Sequence, residues 1–118
     1  MKADINDCND IRLLVDTFYR AAAHDDLLGP IFSRIQNQED HKDALYKYWE
    51  DTLLKNVEDQ PFPQHIHLMF TRRHFVRWIK LLLNTITDMY AGPMAEKAKV
   101  IVIRKSEEFQ SKLALSRF

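Results

Sequence analysis

Three polar aromatic side chains occupy helix faces that the sequence predicts to be buried. Tyr19, His41 and Trp78 each lie on a different predicted helix, and each side chain can donate an O–H or N–H hydrogen bond. A buried donor without a partner costs on the order of 1–3 kcal/mol. Three such donors therefore indicate either hydrogen bonds among themselves or a polar ligand between them. Each one taken alone is more typical of a half-buried side chain whose polar tip reaches water.

One histidine, His65, follows a segment that contains two closely spaced prolines, Pro61 and Pro63. Because prolines stiffen the backbone, a histidine at this place would lose little chain entropy on binding a metal. The same residue is equally consistent with a solvated loop histidine, and His67 and His74 stand close by. Residue types and spacing leave the choice among these three histidines open.

Four amphipathic helices and one short turn would position these side chains. Apolar residues recur at intervals of three and four, which predicts helices at about 7–24, 39–55 and 93–115, and another that begins near Thr71 and stops at Gly92. Ile31 and Phe32 predict a single helical turn between the first two. No alternation typical of strands persists anywhere in the chain, so the sequence predicts an all-α fold.

Length, charge and composition exclude several classes of protein. The 118 residues suit one domain, 1–118, and the zero net charge argues against a protein that mainly grips nucleic acid. No apolar run approaches the roughly 20 residues that span a bilayer, and the polar first ten residues do not resemble a signal peptide. A single cysteine, Cys8, fits a reducing compartment, so we expect a cytoplasmic protein without a membrane partner. Two glycines, no cysteine pair and no nucleophile elbow exclude phosphate-binding loops, common zinc sites and serine hydrolases.

Short blocks of sequence, in order along the chain, resemble a group III truncated haemoglobin. The resemblance extends from about Ile11 to Ile103. It is carried by Phe-Tyr at 18–19, Asp-Leu-Leu-Gly-Pro-Ile-Phe at 26–32, a histidine and a tryptophan eight residues apart at 41 and 49, Pro-Phe-Pro-Gln-His at 61–65, and His-Phe-Val-Arg-Trp at 74–78.

This resemblance implies a truncated globin, a two-over-two helical sandwich around haem b (iron protoporphyrin IX). It assigns His65 as the proximal ligand of the haem iron. The side chains on the other, distal face of the haem would be Tyr19, His41 and Trp78. The haem pocket would be formed by Phe18, Phe32, Leu45 and Trp49, and the rim of the haem would lie near Arg72, Arg73, Arg77 and Lys55.

The function implied is binding of a diatomic ligand (oxygen, nitric oxide or carbon monoxide) at a five-coordinate iron. His41 would either donate a hydrogen bond to this ligand or swing as a gate. A second reading is a haem-dependent redox enzyme, peroxidase-like or a nitric-oxide dioxygenase, that depends on an external reductase. A third is a cofactor-free helical interaction module, which would explain the amphipathic helices but not three donors on core faces.

Overall fold

The computed structural model describes residues 2–58, 60, 62–63 and 69–116, with side chains through residue 111. Within these residues every regular element is helical. The helices are α1 (Cys8–His24), α2 (Gly29–Phe32), α3 (Gln38–Trp49), α4 (Arg72–Met89) and α5 (Pro93–Ser116), and α3 continues without a break into a π-helical segment, Glu50–Leu54. The prediction of an all-α fold is confirmed.

Two helix pairs pack one on the other. The first pair is α1 against α3, and the second is α4 against α5. Helix α1 also packs against α4 and thereby joins the two pairs. The apolar stripes that the sequence predicts on these helices form one continuous buried core. None of the helices in the described part of the chain is long and apolar enough to cross a membrane.

Side chains beside the helix ends determine where the first and fourth helices begin. Asp7 accepts a hydrogen bond from the backbone amide of Asp10 at 3.0 Å, and the Asp10 carboxylate accepts one in return from the Asp7 amide at 3.4 Å. This reciprocal arrangement is a capping box. Before α4, the backbone amide of Thr71 donates to Nδ1 of His74 at 3.0 Å. Thr71 is therefore the N-cap that the sequence predicts.

The second long helix changes its geometry where the sequence predicts a uniform α-helix. After Trp49 the backbone hydrogen bonds join residues five apart in sequence instead of four. The Lys55 amide, for example, donates to the Glu50 carbonyl at 3.3 Å. Asn56 then takes the left-handed conformation, with φ 54°, and the Val57 amide donates to the Asp51 carbonyl at 2.9 Å. A left-handed residue, followed by a residue whose amide bonds back to a carbonyl in the last turn of the helix, is a common way for a helix to end. The predicted end near Lys55 is thus correct, although the last turn is wider.

The N-terminal segment caps the last helix across the molecule. The Asp4 carboxylate accepts hydrogen bonds from the Met94 and Ala95 amides, each at 2.9 Å. Burial by itself would raise the pKa of Asp4, but these bonds and one from the Ile5 amide outweigh it and lower the pKa. Gly92 has φ +138°, and a β-carbon there would come within 2.6 Å of Asp4 Cγ. A glycine is therefore required at this turn.

Candidate functional site

Tyr19 and His41 form a hydrogen-bonded pair between α1 and α3. The Tyr19 hydroxyl lies 3.2 Å from Nδ1 of His41, and both side chains are buried. The Tyr19 ring packs edge-on against Phe32 at 5.2 Å, and the Lys42 ammonium lies 5.2 Å from the centre of the Tyr19 ring. These contacts hold the hydroxyl in one orientation, toward the histidine.

Tyr19 keeps its proton across the physiological pH range. Burial, followed by the negative charge of Glu39, raises the pKa of Tyr19 to about 12. The hydroxyl therefore stays a potential donor far above neutral pH. A neutral phenol beside an imidazole can donate to it or accept from it, depending on which ring nitrogen carries the proton.

A small apolar cavity adjoins His41 between α1, α3 and α4. Its volume is about 20 Å³. Every residue that the resemblance assigns to the haem pocket lines it, namely Phe18, Phe32, Leu45 and Trp49. The remaining wall consists of Leu14, Val15, Phe62, Pro63, Trp78 and Leu82. His41 and Trp78 thus contribute the polar groups of an otherwise hydrophobic enclosure.

Phe62 is a cavity residue to which the sequence analysis assigns no role. Its ring lies 4.6 Å from the Tyr48 ring and 6.1 Å from the Trp49 ring, measured between centroids. It also stands perpendicular to Trp78 at 5.7 Å. The buried Phe62 side chain therefore fills the space between α3 and α4. Its position as a lone aromatic residue between two prolines was the available signal for an anchor in the core.

The structure brings together most of the residues singled out from the sequence. His41 and Trp78 line the same cavity, whereas Tyr19 stands behind His41 and reaches the cavity through it. His65 and His67 lie outside the described residues. His74 is engaged at the start of α4, where its Nδ1 lies 2.7 Å from the Thr71 hydroxyl and its ring stacks on Phe70. In the described ranges, no group of three His, Cys, Asp or Glu side chains could hold a metal ion.

The helix order and the packing of two pairs define a truncated-globin fold. A solved crystal structure of a group III truncated hemoglobin from Campylobacter jejuni superposes on the chain with a TM-score of 0.79. The match covers 96% of this chain and 95% of that one, at 25% sequence identity. The predicted fold class is therefore confirmed.

A sequence relative shows the same similarity. A group 3 truncated hemoglobin of Campylobacter jejuni is 25% identical over 119 aligned positions, which cover 94% of this chain and 91% of the relative. No protein-family model matches the chain. The resemblance to group III truncated haemoglobins is thus confirmed by a curated relative and by a solved structure, and it supports a globin-type haem protein.

Proposed function

We propose that this protein binds haem b in the cavity beside His41 and uses it to bind oxygen or another diatomic ligand, nitric oxide or carbon monoxide. The observation that carries the proposal is the buried Tyr19–His41 hydrogen bond at the wall of an aromatic cavity. Bound oxygen carries partial negative charge, which hydrogen-bond donors stabilise. A purely structural core would have no need for this pair next to Trp78.

The chemistry of the cavity wall fits a flat apolar macrocycle. Aromatic and branched aliphatic side chains surround it, and its polar groups are those of His41 and Trp78. Its volume of about 20 Å³ holds about one water molecule. Ligand pockets commonly measure about 300–1,000 Å³, so a porphyrin requires the cavity wall to move outward. We infer that the Phe62–Pro63 segment, the part of the wall that lies outside the helices, adjusts when haem binds.

Chain connectivity supports His65 as the proximal ligand of the iron. Pro63 lines the cavity, and His65 is two positions further along the sequence. Two residues of chain span at most about 7 Å, a reach that suits a ligand at this sequence position to a haem held in the cavity. His65 would hold the iron of a bound haem, as a histidine does in globins, and the haem would supply the site for a diatomic ligand.

The Tyr19–His41 pair presents a donor to the cavity through the histidine, which is the member of the pair that lines it. When the Tyr19 hydroxyl donates to Nδ1, the neutral imidazole carries its proton on Nε2. We infer that this donor, with the Trp78 indole N–H, retains bound oxygen. Each bond contributes about 1–2 kcal/mol, or roughly a tenfold slower release.

The proposal is tested on protein expressed with an adequate supply of iron. We expect a strong Soret band and, after reduction, a spectrum that changes reversibly with oxygen. A colourless protein that takes up no added haem would contradict the proposal and favour the helical interaction module. If the protein instead consumes peroxide or nitric oxide faster than it releases its ligand, the result would indicate the redox enzyme.

A further inference from the structure

Four cationic side chains share the solvent side of α4. Arg72, Arg73, Arg77 and Lys80 are exposed and line one shallow depression of about 440 Å³. With a rise of 1.5 Å per residue, they are distributed along only about 12 Å of helix. We call these four residues the basic face of α4.

The basic face is poorly neutralised within the described part of the chain. The one carboxylate there at ion-pair distance is Asp25, whose Oδ1 lies 3.6 Å from Nη1 of Arg77. That carboxylate also accepts hydrogen bonds from the Leu27 and Leu28 amides, at 3.0 and 2.9 Å. Its negative charge is therefore shared, and most of the positive charge of the face remains directed to solvent.

The placement of these cations works against the helix that carries them. Arg72 and Arg73 are the first residues of α4, where the positive end of the helix dipole disfavours a cation. Arg73 and Arg77 are four residues apart, and Arg77 and Lys80 are three apart, so like charges face each other. Residues that lower the stability of their own helix are expected mainly at functional sites. This cluster of cations therefore indicates a functional surface.

The surface suits a protein partner better than a nucleic acid. Val76 lies among the cations with 57% of its surface exposed. Arginines around an apolar centre are typical of protein interfaces. A patch only about 12 Å long, on a chain of zero net charge, would meet few phosphates of a duplex. Charge complementarity therefore favours an acidic protein surface.

The basic face and the cavity lie on opposite sides of one helix. Trp78, the residue after Arg77, lines the cavity, whereas Arg77 lines the depression. An α-helix with its side chains is about 10–12 Å across. A protein docked on the basic face would therefore stand about one helix diameter from the cavity.

We propose that the basic face of α4 docks an acidic one-electron carrier protein. This inference rests on the proposed function, because the carrier would transfer its electron to a haem held in the cavity. The reduced carrier would give up one electron and a ferric haem held in the cavity would take it, with no covalent bond formed or broken. The chain thereby obtains the external electron donor that a globin-type haem protein needs to return to its ferrous form.

The test compares two double variants of the haem-loaded protein. Arg73→Glu with Lys80→Glu reverses two charges on the basic face. Arg20→Glu with Arg104→Glu makes the same charge change on α1 and α5, at residues that are also exposed. The probe is a purified bacterial flavodoxin. Its oxidised form is used to measure binding, and its reduced form to measure the rate of haem reduction as salt is raised.

We expect the Arg73/Lys80 variant to lose about tenfold or more in both affinity and reduction rate at low salt, and to lose most of the salt dependence. The Arg20/Arg104 variant keeps most of both. The Arg73/Lys80 variant also melts at a higher temperature, because Arg73→Glu puts a carboxylate in the first turn of α4 and both substitutions remove a like charge beside Arg77. A loss of binding therefore cannot be attributed to unfolding.

Four results would overturn the proposal: wild-type protein that does not bind the flavodoxin, equal losses in both variants, tighter binding of a DNA duplex than of flavodoxin, or weaker haem binding with unchanged flavodoxin binding. The last would assign these side chains to the haem carboxylates. Failure of the proposed function is distinguishable, because binding of oxidised flavodoxin can be measured even if the chain takes up no haem.

Discussion

Removing the Tyr19 hydroxyl is the substitution with the best-defined expected effect. The hydroxyl lies 3.2 Å from Nδ1 of His41, in a buried position. In Tyr19→Phe the bond is lost, and with it the partner that fixes the His41 imidazole at the cavity wall. A bound oxygen molecule then loses about 1–2 kcal/mol of stabilisation. Since 1.4 kcal/mol is a factor of ten, oxygen should dissociate roughly 5 to 30 times faster.

The matched control for this experiment is Tyr90→Phe. Its hydroxyl donates to the Asp10 carbonyl at 2.9 Å, on a different part of the core. Both substitutions should lower the free energy of unfolding by about 0.5–1.5 kcal/mol, but only Tyr19→Phe should change the oxygen dissociation rate, measured by stopped-flow displacement with carbon monoxide. An unchanged rate in Tyr19→Phe, or an equal change in Tyr90→Phe, would refute the reasoning.

Three further predictions follow from the geometry. Phe62→Ala should lower the free energy of unfolding of the haem-free protein by about 3–5 kcal/mol in urea titrations, yet speed haem uptake in stopped flow, because the ring no longer fills the cavity; slower uptake would contradict this. Asp4→Ala should lose about 1 kcal/mol at neutral pH. Because hydrogen bonds lower the pKa of Asp4, the wild-type advantage should disappear as the pH falls; a difference independent of pH would show that the carboxylate is not the cap. Absorbance at 295 nm should show the tyrosines of the folded protein titrating above their ordinary pH of about 10, because burial raises the pKa of all four, and stability should decline as the pH rises above 10; a normal titration in the folded state would contradict the burial of Tyr19, Tyr48 and Tyr90 and the partial burial of Tyr46.

Helix positions could be predicted from the sequence because local chemistry determines them. Asp7 and Thr71 are capping residues at the first turn of their helices, and Gly92 stands where a β-carbon would meet Asp4. The apolar spacing gave the buried faces of the long helices. The π-helical segment, Glu50–Leu54, was not predictable in this way. A shift of one residue in hydrogen bonding leaves the apolar pattern almost unchanged.

The candidate site was only partly predictable, because its residues meet through tertiary packing. Core-face polarity singled out Tyr19, His41 and Trp78, but not the pairing of the first two or the more remote position of Tyr19 relative to the cavity. The inward position of Phe62 depends on rings from α3, α4 and α5, which no local pattern specifies. The choice of His65 came from the resemblance alone.

The axial ligand of the haem iron tests the central claim most directly. His65→Ala and His67→Ala, two substitutions of neighbouring histidines, are loaded with haem and compared with the wild type by their ferrous and carbon monoxide spectra. We predict that His67→Ala keeps the wild-type Soret band and axial spectrum, whereas His65→Ala loses the histidine-ligated spectrum and binds haem weakly. An unchanged axial spectrum in His65→Ala would contradict the account.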